Sequence, residues 1–249
     1  MLSGWLEQGL SDAVVVEPHA AAVAAFTGRV RVVADAAAIP ADFRPAAVVT
    51  AIKPQEAPAS LPAYARFSAQ GALFLTIMAG RSIASMQAAL GAGTAVVRAM
   101  PNTPSLVGEG ASAIAGGAHA TEVDIEWAEA VLGSVGLVVR VPESQLDVVT
   151  GLAGSGPAYL FLVAEALMDA GVVAGLPRAT AETLVRQLFV GSAKLLAQGE
   201  APADLRASVT SPGGTTAAGV SVLETEAVRA AFIQAVKAAT DRSRELGNR

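Results

Sequence analysis

Ala72-Leu73-Phe74-Leu75-Thr76-Ile77-Met78 decides the fold class of this chain. Its apolar residues follow one another without alternation, so neither face of a strand built from them would meet water. Four more runs of this kind stand at 13–16, 30–33, 46–52 and 95–98. Between them lie alanine-rich helical stretches at 18–26 and 82–90 and a proline-interrupted stretch at 55–69. Short buried strands alternating with helices predict an α/β fold with a doubly wound parallel sheet. A strand at 111–115, a helix near 122–132 and a strand at 136–141 complete this half.

From Glu143 onward the strand-like runs stop. Helical patterns follow at 157–173, 179–197, 203–209, 215–223 and 226–246. The boundary between the halves falls near Pro142, giving domains of 1–141 and 142–249. Leu160-Phe161-Leu162-Val163-Ala164 is apolar around the whole helix circumference, and such helices need partners on more than one side. A second copy of the chain is the preferred source of those partners, against a simple intrachain bundle.

Composition narrows the classes of function. The chain has 249 residues, 53% hydrophobic and only 16% charged, with a net charge of −5 and no cysteine. Disulfides, thiolate metal sites and a cysteine nucleophile are excluded. The acidic balance and the scattered basic residues argue against a nucleic-acid partner. No apolar run reaches membrane-spanning length free of glycine, proline or charge, and the start lacks a basic flank and a secretory apolar region, so a cytoplasmic protein without a membrane partner is the simplest reading. No metal constellation is visible: Glu165 and Asp169 share a helix face but have no histidine beside them, and His19 and His119 read as solvated.

Two glycine-rich turns stand out in the helical half. Ser211-Pro212-Gly213-Gly214-Thr215-Thr216 precedes an apolar periodic run, so it reads as a helix start with free N–H groups and two hydroxyls, a ready anion site. An ordinary capped turn reads equally well from these residues alone. Gly154-Ser155-Gly156-Pro157-Ala158-Tyr159 reads as a second helix opening, with proline at the first helical position. Ser155 has no histidine placed to activate it, which excludes a hydrolase nucleophile.

The chain resembles the pyrroline-5-carboxylate reductases of proline biosynthesis. The resemblance rests on Ala51-Ile52-Lys53-Pro54-Gln55, Arg98-Ala99-Met100-Pro101-Asn102-Thr103-Pro104, Thr150 to Tyr159, Gly175-Leu176-Pro177-Arg178 and Thr210 to Thr216, five segments in one order and spacing. It implies a Rossmann-like nucleotide-binding domain, a helical substrate-binding and dimerisation domain, and a homodimer, with a larger ring of dimers left open. One departure stands out. The family opens with a strand and a G-x-G-x-x-G-type turn, whereas Met1-Leu2-Ser3-Gly4-Trp5 resembles the helix after that turn. Gly91-Ala92-Gly93 precedes a strand and is no substitute. Loss of a mid-sheet first strand would leave two inner edges unpaired. The expectation is therefore that Met1 is an internal methionine, and that a chain beginning there binds cofactor weakly.

The reaction implied is reduction of the cyclic imine of 1-pyrroline-5-carboxylate to proline by NAD(P)H. The resemblance assigns the substrate carboxylate to Ser211, Gly213, Gly214, Thr215 and Thr216, with Gly156 and Pro157 on the pocket wall. Thr216 and Ser155 are the catalytic candidates, Thr216 as the group that bonds the ring nitrogen. Ala51, Lys53, Pro54, Met100, Pro101 and Asn102 fall to the cofactor, at the strand ends where open α/β sheets bind ligands. Glu17, at the end of the first visible strand, would accept bonds from a ribose hydroxyl and favours NADH. Arg29 and Arg31 nearby keep NAD(P)H open. Two other readings remain: a 3-hydroxyacid-type reductase, for which Lys194 lies far from both glycine turns, and a non-catalytic oligomer that has lost its cofactor turn.

Overall fold

A computed structural model describes residues 1–7, 9–10, 12–26 and 28–247. The chain divides into two compact units: Met1–Ser155 joined by the chain end from Ala238, and Gly156–Lys237. The first unit runs α1 (Leu2–Glu7), β1 (Val14–Val16), α2 (Ala20–Val23), β2 (Arg31–Val33), β3 (Ala47–Thr50), α3 (Ala57–Ser60), α4 (Ala65–Ala69) and β4 (Leu73–Thr76). It continues through α5 (Ile83–Leu90), β5 (Val96–Met100), β6 (Gly110–Gly116), α6 (Glu122–Gly133), β7 (Gly136–Arg140) and α7 (Leu146–Val149). The helices α8 (Gly156–Val173), α9 (Arg178–Leu196), α10 (Pro202–Ser208), α11 (Thr215–Thr225) and α12 (Val228–Gly247) follow.

Among the described residues the strands form two sheets, β1-β2 and β3-β4-β5-β6-β7. The apolar run at 72–78 is the second strand of the larger sheet, and all four β4 residues are buried. Phe74, Met86 and Val96 pack on one side with Val14, Val16, Val33, Val48 and Ile52. Leu75, Val97, Ile114 and Leu132 pack on the other with Met1 and Val49. β1 pairs with β2 and β3 with β4, but β1 and β3 do not pair, so the sheet is interrupted between them. That is the interruption the reading of an absent first strand expects.

One pairing departs from the parallel sheet expected: β5 and β6 are antiparallel, with Val97 opposite Gly116 and Met100 opposite Ala113. The connection explains it. Thr103–Val107 is a 3-10 turn closed by Gly108 at φ 79°. A parallel crossover takes a dozen or more residues, usually a helix. The remaining pairings are parallel.

The helical half begins as expected, yet the first compact unit extends past Pro142. Leu146 is fully buried against Ala113 and Ala115, which ties 143–155 to the sheet. Within the second unit α8 and α9 form a hairpin. Gly175 at φ 107° lets its own N–H reach Val172 O and that of Leu176 reach Gly171 O, closing α8 before Pro177 starts α9. Leu160, Phe161, Leu162, Leu184 and Leu188 are exposed on these helices. The helical run Glu143–Val173 is also long and apolar enough to cross a membrane by length and composition. It carries glycines, Pro157 and the charged Glu143, Asp147, Glu165 and Asp169, the interruptions that count against a membrane span in the sequence.

Candidate active site

β3, β4 and β5 run parallel, so the ends at Thr50, Thr76 and Met100 open onto the same edge of the sheet. Ligands bind outside the carboxyl ends of strands in open α/β sheets. Ala51 and Lys53 are exposed there and Pro54 is half-buried. The Pro54 carbonyl accepts two bonds from one guanidinium, Arg81 Nε at 3.0 Å and Nη2 at 2.6 Å. Arg81 belongs to no motif, so nothing in the sequence marks it out.

At the end of β5 the side chain of Asn102 is already engaged. Its Nδ2 donates to Ala153 O at 3.1 Å and its Oδ1 accepts from Ala111 N–H at 2.8 Å. The residue expected on the cofactor therefore stitches the β5 end to β6 and to the glycine turn. Met100 closes the same gap, since a Cβ on Gly154 would stand 2.6 Å from Met100 Cε. A larger residue at 154 would make that methyl swing aside. Met100 thus lies against Gly154 and Asn102 against Ala153.

The turn at Gly154-Ser155-Gly156 is not the free helix opening that its glycines suggest. Thr150–Gly154 is a π-helical turn within a continuous helical run, and Ser155 N–H donates to Thr150 O at 2.8 Å. Such insertions recur at functional sites. Ser155 is half-buried in the first unit; Gly156 and Pro157 are half-buried at the start of α8 in the second.

Beside the β5 end lies a groove of about 290 Å³, lined by Met1, Pro101, Asn102, Thr103, Ser105 and Leu106. The buried Ser105 hydroxyl has no hydrogen-bond partner. A Cβ on Gly110 would strike this oxygen, so the hydroxyl is packed against the start of β6. The groove itself is mostly apolar. A glycine-rich pyrophosphate cradle is not found among the described residues.

The second unit holds the other glycine turn. Ser211-Pro212-Gly213-Gly214 is a β-turn closed by Gly214 N–H donating to Ser211 O at 3.0 Å, with Gly213 at φ 71°. Proline second and glycine third is the sequence a type II turn demands. Gly214 caps α11 with an extended backbone, and the first intrahelical bond is Ala218 N–H to Gly214 O. This corrects the donor assignment. The Gly214 amide is spent inside the turn, and the first-turn donors of α11 are the amides of Thr215, Thr216 and Ala217. Thr216 and Ala217 are half-buried while Ser211, Gly213 and Thr215 are exposed.

Glu17 follows β1, its N–H bonded to Val33 O. Its carboxylate accepts His19 N–H at 2.8 Å and lies 2.9 Å from His19 Nδ1. Those bonds, the backbone one first, hold its carboxyl below the ordinary range. Arg31 is in register with Val14, so Arg29 and Arg31 sit at the opposite end of the strands from Glu17. Lys194 and His119 are exposed, and Asp169 pairs with Arg178 at 2.7 Å.

A Rossmann-like α/β sheet followed by a helical second part is the architecture of a two-part dinucleotide-dependent oxidoreductase. Residues 143–246 match the family model described as pyrroline-5-carboxylate reductase dimerisation. Pyrroline-5-carboxylate reductase of Mycobacterium tuberculosis is 43% identical over 99% of this chain and 92% of its own. The reductase structure from Coxiella burnetii is 32% identical, with a TM-score of 0.90 over 98% of this chain and 93% of that one. The Plasmodium falciparum pyrroline carboxylate reductase with NADP bound is 30% identical, with a TM-score of 0.80 over 88% of this chain and 83% of that one. The chain belongs to the pyrroline-5-carboxylate reductase family.

Proposed function

We propose that the chain reduces the C=N bond of 1-pyrroline-5-carboxylate to give proline, using NAD(P)H. The observation that carries this within the site is the start of α11, where unpaired amides and the Thr216 hydroxyl stand behind a rigid Ser-Pro-Gly-Gly turn. A partly buried helix N-terminus contributes up to about 2 kcal/mol to holding an anion, and the substrate carries a carboxylate on its ring. When bound, the reduced nicotinamide supplies the hydride. The imine nitrogen takes its proton from solvent before attack, so the chain needs no strong general acid.

The protein's part is holding, orienting and excluding water. The amides of Thr215, Thr216 and Ala217 bind the carboxylate, with Ser211 and the Gly213 turn fixing their direction. The Thr216 hydroxyl accepts a bond from the protonated ring nitrogen, and Ser155, Gly156 and Pro157 form the wall. On the cofactor side Ala51, Lys53 and Pro54 meet the dinucleotide beyond β3, and Met100 and Pro101 meet the nicotinamide, with Asn102 as their brace. Glu17, at the opposite strand end from Arg29 and Arg31, favours a ribose hydroxyl over a phosphate and so NADH. The domain roles follow: 1–141 for the dinucleotide, 142–249 for substrate and dimerisation.

The exposed leucines of α8 and α9 support a homodimer, assembled by burying these faces against a second copy. The dependence on a soluble nicotinamide pool favours the cytoplasm. The test is oxidation of NADH and NADPH with the cyclic imine by the chain and by Thr216→Ala. Loss of one charged hydrogen bond predicts a fall in turnover of about tenfold, with dinucleotide binding unchanged. An unchanged rate in the variant removes Thr216 from the site.

A further inference from the structure

The loop between β4 and α5 is held at its backbone on both sides. On one side Gly80, at φ 72°, lies against the end of α12: a Cβ there would stand 3.0 Å from Gly247 N and 3.1 Å from Ser243 O. A Cβ on Gly247 would in turn strike the Gly80 carbonyl. On the other side Ser82 caps α5 through Ser85 N–H, and Ile83 N–H donates to Glu143 Oε1 at 2.7 Å. Between these anchors stands Arg81, whose guanidinium reaches away from its own loop to the Pro54 carbonyl.

The loop it reaches has little else to fix it. Lys53, Gln55 and Glu56 are exposed, and the bonds closing the turn are Glu56 N–H to Lys53 O at 2.9 Å and Ala57 N–H to Pro54 O at 3.4 Å. Two donors from a rigid planar fork on one carbonyl set its direction as well as its distance, and a charged donor makes each bond stronger than a neutral one. No carboxylate among the described residues forms an ion pair with Arg81, so the clasp is its evident task.

We propose that Arg81 is a positioning residue for the dinucleotide: by clasping Pro54 it fixes the Lys53–Pro54 loop, and it passes the seating of the α12 end on to that loop. The proposal rests on the cofactor placement given above. A loop displaced by even an ångström costs a bound ligand much of its geometry.

The test uses the full chain, with Arg81→Gln, Arg81→Lys and, as a control on the cofactor placement, Lys53→Met. Amide hydrogen exchange at Glu56 and Ala57, NADPH affinity by fluorescence titration, and the separate KM values are read. Arg81→Gln should raise exchange at Glu56 and Ala57 about tenfold while Phe74 and Leu75 keep their protection. It should weaken NADPH about fivefold with the KM for the imine unchanged, and Arg81→Lys, which keeps the charge and one donor, should recover part of both. Unchanged exchange in Arg81→Gln overturns the clasp. A loosened loop with full NADPH affinity overturns the positioning role. Should Lys53→Met also bind NADPH normally, the cofactor placement itself has failed and takes this proposal with it.

Discussion

Glu129 on α6 takes two hydrogen bonds of 2.6 Å from the Arg140 guanidinium on β7, which also pairs with Glu122. The bonds from Arg140 hold the Glu129 carboxyl below its ordinary value of 4.5. A depressed carboxyl contributes stability that is present above the unfolded pKa and lost as pH falls through the folded one. A carbon-detected NMR titration should place the Glu129 midpoint below 4.5, and Arg140→Gln should return it to the ordinary range; an ordinary midpoint in the parent chain would remove the effect. At this scale the sequence points to the right neighbourhoods but not to the atoms. Gly213 and Gly214 are visible as a turn, yet which amide stays free depends on the bond from Gly214 to Ser211 O. Asn102 reads as a ligand contact until its two partners, Ala153 and Ala111, arrive from distant parts of the chain.

At the scale of elements, every strand expected from an apolar run is present within a few residues, because burial on both faces demands an unbroken apolar stretch. Directions were harder to read. The same apolar run serves a parallel or an antiparallel neighbour, and β6 turns back because its connection is short. In the sequence the junction of α11 and α12 shows only as a gap between helices. There Ala227 sits at φ 56°, the one non-glycine left-handed residue among those described. A Cβ in that conformation costs about 1–2 kcal/mol, so Ala227→Gly should stabilise the chain by roughly 1 kcal/mol, offset in part by unfolded-state entropy. Urea denaturation of the two proteins measures it, and a loss of stability would contradict the strain.

At the scale of the molecule, the first unit is fastened by a charge cluster that no local pattern announces. Arg98, 5% exposed on β5, pairs with Glu143 at 3.4 Å and Asp147 at 3.2 Å, and Asp147 accepts Ser243 Oγ at 2.7 Å from the end of α12. Removing one member strands the others, which typically costs about 3–5 kcal/mol for a buried pair. The partial exposure of Glu143 puts Arg98→Ala toward the lower end, about 3 kcal/mol, read from denaturant midpoints. The apolar helices make the second prediction at this scale. Phe161 is 64% exposed in the single chain, and Phe161→Glu should turn a dimer into a monomer in analytical ultracentrifugation if that face is the contact between copies. A variant that still sediments as a dimer would move the interface elsewhere.

What the sequence by itself determined is whatever depends on local periodicity and on residue types with special backbones. The unalternated strands, the helical second half and the Ser-Pro-Gly-Gly turn follow from neighbours in the chain, whereas the break in the sheet beside β1 was legible only through the family resemblance. Tertiary structure decided the contacts made by groups far apart in sequence: the brace from Asn102 to Ala153, the reach of Arg81 to Pro54 and the pairing of Arg98 with Glu143 and Asp147. A hydrogen bond is set by ångström distances and by direction, and those are fixed only when separate elements have packed together.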